Sequence, residues 1–510
     1  MKNEKMNWED LLCSDRIHDS DPAKTKEKSK KKESDPRSEF EKDVHRIFFT
    51  HPFRRLQNKT QVIPVPVFDF IHTRLTHSLE VASVGRVLGR IAGGKIIKKY
   101  ELKEFTEYDF GAIVQAACLA HDIGNPPFGH SGERSIQDCI IHSDFYDTYA
   151  PFFMELPGIE DIKLKELSEK HWRDFMNFEG NAMGFRSINK EQYRGFNLTC
   201  ATLATFTKYP RESYIDPKCP DFIWKEKKLV PDPQDKDKTL RISQKKYGFF
   251  QAEKEIFKKV ATKTELIPLG DEKNWSWCRH PLAFLMEAAD DICYTLIDLE
   301  DGFRLGRISY DFAKEKLEKI ADIDNYEVFN KLVDDDERIG YLRGKAIFKL
   351  VYAVAKKFED LEGKILKGNH DNALINSIGQ IEIIKEIREK IKAKVYNYKP
   401  ILELVAVGSA VLRGLVNLFV NAATPQIKVE IDTSSKIQES EYEYNKLIKK
   451  LIPKQFLATE EERERGVDYH LYISILKIMD YVSGMTDNYA LQLYRKLKGI
   501  EVPHLQNLSR

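Results

Sequence analysis

The sequence predicts an all-α fold, and three features carry that prediction. From residue 45 onward, apolar residues recur at three/four spacing along most of the 510-residue chain, the period of helices with one buried face. The Val/Ile alternation that marks half-buried strands is rare, and the run VIPVPV at 62–67 holds two prolines, which cannot donate to a sheet ladder. Some segments are apolar nearly all round, as the central helices of a large helical core are. No internal repeat is present.

The elements follow in chain order. Residues 24–43 hold 14 charged residues in 20 and one aromatic. Such a stretch buries too little apolar area to offset its ordering entropy, so residues 1–44 are expected to form a flexible charged arm. Polyanion binding is the alternative to a merely solvated run. In Thr73–Ile91, the residues His77, Val81, Val84, Leu88 and Ile91 share one helical face. Residues 111–123, GAIVQAACLAHDI, form a buried helix that Gly124-Asn125-Pro126-Pro127 stops. The segment 211–246 turns polar and rich in Pro, Asp and Lys (VPDPQDKDK), a surface excursion. Leu282, Leu285, Ala289, Cys293 and Leu296 set a second apolar helix over 281–301. Residues 311–400 read as long charged amphipathic helices, 401–421 as another apolar helix and 466–498 as one or two more.

Composition bounds the function. The balance of 81 Lys+Arg against 80 Asp+Glu gives a net charge of +1. That excludes a wholly basic nucleic-acid binder but not a local cationic groove. Hydrophobic residues at 42% and charged residues at 32% suit a soluble chain with a sizeable core, and length alone suggests about three domains. The seven cysteines are scattered, odd in number and never C-x-x-C, which argues against a disulfide framework and a thiolate zinc site. The N-terminus lacks the apolar stretch of a signal peptide, and the most apolar run, 404–420, is interrupted by Arg413 and Asn417. A reduced, cytoplasmic protein with no membrane association is expected.

Three pieces carry candidate chemistry: His77 on an apolar face, His121-Asp122 at the end of the buried helix, and Asp290 within EAADDICY. Each has a structural alternative, namely a hydrogen-bonded core histidine, a C-cap with a solvated charge, and a paired acid. Together the alternatives weaken, because buried carboxylates and imidazoles are costly unless paired or metal-bound. Two imidazoles and two carboxylates can ligate one divalent ion and leave positions open for water and substrate. Asp290, Tyr294 and Asp298 stand at i, i+4 and i+8, a single polar stripe that lines a cavity or faces solvent. After the His-Asp pair, His130 and Glu133 sit three apart where a helix restarts. They read as an imidazole oriented by a carboxylate or as a capping interaction.

These residues resemble the H…HD…D signature of HD-domain metal-dependent phosphohydrolases, matched by His77, His121-Asp122 and Asp290. More narrowly, the chain is similar to the dGTP triphosphohydrolase family. The strings that carry this likeness are FRRLQNKTQV (53–62), TRLTHSLEV (73–81), LAHDIGNPPFGHSGE (119–133), FEGNAMGFR (178–186), TKYPR (207–211), EAADDICYTLIDLEDG (287–302) and DYVSGMTDNYA (480–490). The resemblance implies an HD-domain helical fold with further helical insertions and C-terminal helices. Its catalytic core would span 45–310, with a helical region, 311–510, completing the catalytic unit and making oligomer contacts.

It also implies hydrolysis of a deoxynucleoside triphosphate, dGTP foremost, at the α-phosphorus, giving a deoxynucleoside and inorganic triphosphate. His77, His121, Asp122 and Asp290 would hold Mg²⁺ or Mn²⁺, with Fe²⁺ or Co²⁺ also compatible. His130, oriented by Glu133, would protonate the leaving 5′ oxygen or assist the water. Arg74 and Lys208 would serve the phosphates, and Gln61 would lie near the sugar or base. Tyr294 would exclude a 2′-hydroxyl, Asp298 would accept from the 3′-hydroxyl, and Asn181 and Glu179 would support the site from behind. A homo-oligomer and a single-stranded DNA effector are implied as partners. The segments 211–246 and 311–400 match no family string, which leaves base preference open. The competing readings are an HD hydrolase of a deoxynucleoside monophosphate or of a cyclic or signalling nucleotide, and a single-stranded nucleic-acid binder with a regulatory HD site.

Overall fold

The computed structural model describes residues 4–17, 35–61, 72–142, 144–154, 162–190, 196–214, 222–225, 228–231, 241–269, 275–424 and 439–501. Its principal helices are α1 (Glu39–Phe48), α2 (Arg74–Tyr100), α3 (Glu107–Ala120), α4 (Gly129–His142), α5 (Ile162–Met176), α6 (Gly180–Asn189), α7 (Ala283–Arg304), α8 (Asp335–Leu366), α9 (Ile381–Ile391), α10 (Lys399–Ala423), α11 (Val467–Ser483) and α12 (Asp487–Leu497). The expected all-α class holds. Among the described residues the regular β-structure is one antiparallel hairpin, β1 (Phe222–Lys225) with β2 (Lys228–Pro231), which pairs Phe222 with Pro231. It lies in the 211–246 excursion. The base of that excursion is closed where the Arg211 guanidinium donates to the Lys246 carbonyl at 2.8 Å and Gly248 N–H donates to the Arg211 carbonyl at 3.1 Å.

Local sequence explains where α2 and α3 begin and how closely they pack. Thr73 caps α2 in a reciprocal arrangement with Thr76, and Thr106 and Asp109 do the same for α3, satisfying amides that the first turn leaves unpaired. Along α2, Gly85, Gly89 and Gly93 present no side chain to α3, so Cys118 and Phe110 seat directly on its backbone. Val81, Val84 and Leu88 are buried, as the periodicity predicts, and His77 is buried with them.

The buried side chains form two clusters. One gathers α2, α3, α7 and α8; the other gathers α4, α5, α10 and α11. Phe128, at the start of α4, belongs to the second cluster, whereas Ile123, five residues earlier, belongs to the first. The loop between them therefore lies at the seam. By length and a mean hydropathy of 1.7, α10 passes the test for a bilayer-crossing helix. Val411, Leu412, Leu415, Val416, Phe419 and Val420 are nevertheless buried in the second cluster, where a core helix needs them.

The N-terminus departs from expectation. Met6, Trp8, Leu11 and Leu12 are buried, Met6 N–H donates to Leu366 O at 2.8 Å, and the Trp8 indole donates to Glu362 at 2.9 Å. The flexible arm expected over 1–44 is thus structured at residues 4–17 and again from α1, and its lysine-rich part, 18–34, lies outside the described residues. Charge density was a poor guide at both ends. MNWEDLL carries four large apolar side chains, and α1 turns Phe40, Val44 and Ile47 inward.

Candidate metal centre and its surroundings

Three helices converge on one point. His77 comes from the second turn of α2, His121 from the C-cap of α3 and Asp290 from the middle of α7. One donor atom from each lies within 4.8 Å of the others. His77 Nε2 is 3.1 Å and His121 Nε2 is 3.6 Å from Asp290 Oδ1. Adjacent ligands of an octahedral ion with bonds near 2.1 Å stand about 3 Å apart, so the spacing fits a first-row divalent cation.

His121 Nδ1 lies 2.6 Å from the Cys118 carbonyl. A carbonyl can only accept, so Nδ1 carries a proton and Nε2 is the ring nitrogen turned toward Asp290. Burial opposes ionisation of Asp290, yet the His121 and His77 imidazoles outweigh it and hold the carboxyl well below its ordinary range. His77 is shifted upward, because its bond to Asp290 overcomes the burial that works against it.

Asp122, the fourth candidate ligand, stands at the rim of this trio. Its Oδ1 is 3.7 Å from His121 Nε2 and accepts from the Asn125 amide at 2.5 Å. Its Oδ2 is 2.8 Å from an Arg74 guanidinium nitrogen and is buried without a hydrogen bond of acceptable angle. Arg74 is buried, its Nε lacks a partner, and Gln61 Oε1 and Ser78 Oγ are likewise buried without one. Buried orphan donors and acceptors are uncommon. The orphan atoms of Asp122 and Arg74, next to His121, fit a site that receives a cation and a polar ligand.

The loop between Asp122 and α4 depends on its glycines. A Cβ on Gly124 would strike Gly180 O and Gly184 N of α6, and one on Gly129, at φ +59°, would strike the Arg74 guanidinium. The close approach at Gly124 ties GNPPFG to the EGNAMG string. Beyond the loop, His130 Nδ1 is 3.3 Å from Glu133 Oε2, and its side chain is 73% exposed. Glu133 Oε1 accepts Gly180 N–H at 3.1 Å and lies 3.5 Å from Lys246. Against burial, the His130 contact and Lys246 hold the Glu133 carboxyl low. Neighbouring Glu179 goes the other way, raised by burial and by the Glu133 charge. It accepts from Asn181 Nδ2 at 2.6 Å and from Lys246 at 2.9 Å.

Three expected substrate contacts have partners within the chain. Lys208 is 3.2 Å from Glu287 on α7, and Glu287 also pairs with Arg279 at 2.7 Å. Lys208 therefore does not stand as a bare phosphate-seeking cation; its charge is offset by a carboxylate one turn before Asp290. Tyr294 and Asp298 do share the Asp290 face, and both are bonded to Tyr396, whose hydroxyl donates to the Asp298 carboxylate and lies 2.8 Å from the Tyr294 hydroxyl. Burial pushes Asp298 up to about 7, more than its Tyr396 bond draws it down.

Tyr396 ends a single π-helical turn, Lys392–Tyr396, after α9, a distortion frequent at functional sites. Also from α9, Arg388 donates to Asp291 at 2.8 Å and to Thr295 at 2.9 Å. Neither residue was singled out from the sequence. Both lie in the 311–400 region, where a charged amphipathic pattern gives no hint of which face meets α7.

Comparison with known proteins agrees with this geometry. The HD domain family matches residues 74–171, which contain His77, His121, Asp122, His130 and Glu133. A "deoxyguanosinetriphosphate triphosphohydrolase-like protein" of Synechocystis is 39% identical over 98% of this chain and all of its own. One of the same name from Pseudomonas aeruginosa is 35% identical over 98% of the chain and all of its own. A "deoxyguanosinetriphosphate triphosphohydrolase" of Klebsiella pneumoniae is 30% identical over 92% of the chain and 97% of its own. With likeness running from end to end and His77, His121 and Asp290 brought together in space, the chain belongs to the deoxyguanosinetriphosphate triphosphohydrolase family of HD-domain proteins.

Proposed function

We propose that this protein hydrolyses deoxynucleoside triphosphates, dGTP foremost, to the deoxynucleoside and inorganic triphosphate, with Mg²⁺ or Mn²⁺ held by His77, His121, Asp122 and Asp290. The observation that carries the proposal is the convergence of donor atoms from His77, His121 and Asp290 within 4.8 Å, with the His130–Glu133 pair following His121-Asp122 across a single loop. A cation bound there would supply Lewis-acid polarisation of a phosphate oxygen and a water of lowered pKa.

The chain's own residues do the rest. Arg74, anchored by Asp122, offers its unpartnered Nε to the polyphosphate. Lys208 and Arg388 keep positive potential along α7, although each is tied to a carboxylate. Glu133 orients His130 through Nδ1, leaving Nε2 to hold a proton at the leaving 5′ oxygen or at the attacking water. On the far side, Tyr396 fixes the Tyr294 and Asp298 side chains. Tyr294 closes the space a 2′-hydroxyl would need, and Asp298 meets the 3′-hydroxyl.

The test is direct. Purified protein with Mg²⁺ or Mn²⁺ and each deoxynucleoside triphosphate in turn should release inorganic triphosphate, resolved by anion exchange, fastest with dGTP. Release of pyrophosphate or single phosphate would reject the proposal. Turnover restricted to monophosphates or cyclic nucleotides would favour a different HD hydrolase.

A further inference from the structure

We infer that the C-terminal turn joining α11 to α12 is a clamp on the catalytic loop, with Asp487 a positioning residue for His130. The second half of this inference rests on the function proposed above. Asp487 is 2% exposed and opens α12, yet its carboxylate serves nothing in that helix. The capping bond to Tyr489 N–H is made by Thr486. Instead, Asp487 Oδ1 accepts Phe128 N–H at 3.0 Å, and Oδ2 accepts both the amide, at 3.0 Å, and the hydroxyl of Thr60. A carboxylate at a helix N-terminus is favourably placed to accept several donors.

A second tie joins the turn to the loop, and another holds the turn itself in place. Lys59, buried, donates from Nζ to Asn125 O at 2.6 Å and to Ser483 O at 2.7 Å, bridging the two segments. Arg55 donates to Gly484 O at 3.1 Å. The clamped amide belongs to a residue that needs holding, since Phe128 has φ +63°, a left-handed conformation costly for a bulky side chain. Its ring is packed against Gly408 of α10, where a Cβ would collide with it. Two residues later comes His130, while Asn125, held by Lys59, is bonded to Asp122. Asp487 and Lys59 thus fix both ends of the link between the metal centre and the proton-transfer histidine without touching either. This gives the DYVSGMTD string a task that helix packing alone does not explain.

The test uses the full chain with Asp487→Asn, which keeps the shape but replaces one acceptor oxygen by a donor. Hydrogen–deuterium exchange of the 124–133 segment, Mn²⁺ affinity and turnover per bound Mn²⁺ are measured together. The expected result is faster exchange at Phe128, Mn²⁺ affinity within about twofold of the parent, and kcat lowered by about 10²-fold, the scale of an ångström of misplacement. A purely structural role would lower the folded fraction and leave kcat per bound Mn²⁺ unchanged.

Unchanged exchange, or faster exchange with unchanged kcat, overturns the inference. Lys59→Met, which removes the Asn125 and Ser483 bridge, provides the same readings if Asp487→Asn fails to fold. Should the parent protein turn over no deoxynucleoside triphosphate, the proposed function fails. The exchange measurement then decides the clamp alone.

Discussion

At the scale of the residue, the proposed function divides the work between groups that would hold charge and groups that would move a proton. Asp290 is the link between the two imidazoles, being within 3.1 Å of one and 3.6 Å of the other. Replacing it with alanine should abolish bound Mn²⁺ and activity together, as read by elemental analysis and product assay. His130 touches no ligand of the trio and is largely exposed. His130→Ala should keep the metal and lose about 10²–10⁴-fold in kcat, the usual share of a positioned acid or base. Near-normal turnover of that variant would remove His130 from the mechanism.

The convergence of His77, His121 and Asp290 was legible in the sequence because burial makes an unpaired His or Asp on an apolar helix anomalous. The true partners of Lys208 and Asp122 were not. Glu287 lies 79 positions from Lys208, and no local pattern says that the two meet.

At the scale of the element, close backbone approaches set the positions. Gly124→Ala would press a methyl into Gly180 O and Gly184 N of α6, where the obstacles are backbone and cannot swing aside. Overpacking of this kind costs about 1–3 kcal/mol. The variant should melt lower and bind Mn²⁺ more weakly, because His121 and Asp122 lie three and two positions before the displaced residue. Unaltered melting and Mn²⁺ affinity would contradict the packing described.

A second element-level test concerns α5. Buried Asp174 accepts from Ser213, from Tyr472 at 2.6 Å and from Gln251 N–H at 2.7 Å. Burial nonetheless pushes its carboxyl from 3.8 up to about 7. An acid whose folded pKa is raised binds its proton more tightly in the native state. Its stabilising contribution is therefore present below about pH 4 and is lost as pH rises through 7. The destabilisation caused by Asp174→Asn, measured by urea unfolding, should be largest near pH 4 and shrink toward pH 8. A penalty that grows with pH would reverse the assignment.

At the scale of the molecule, helical periodicity and family strings foretold most of the fold but not how its parts close on one another. The apolar faces of α2, α3 and α7 were written in their spacing, and their burial follows. The contributions of Tyr396 and Arg388 were hidden in charged helices, and the task of Asp487 in a turn 359 positions from Phe128. Contacts of that separation are decided by tertiary packing, to which local sequence is blind.

His77, His121 and Asp290 join α2, α3 and α7 at one point, so a metal bound there should stabilise the whole chain. Chelation should lower the melting temperature and Mn²⁺ restore it, by about 2.7 kcal/mol at a hundredfold excess over Kd.

The central claim is that these residues direct water to the α-phosphorus of a deoxynucleoside triphosphate, and isotope placement tests it most directly. With dGTP, Mn²⁺ and ¹⁸O-water, mass spectrometry should find the label in the released inorganic triphosphate and unlabelled 5′-hydroxyl on deoxyguanosine. Label in the deoxynucleoside, or in pyrophosphate or single phosphate split from a retained nucleotide, would contradict the account.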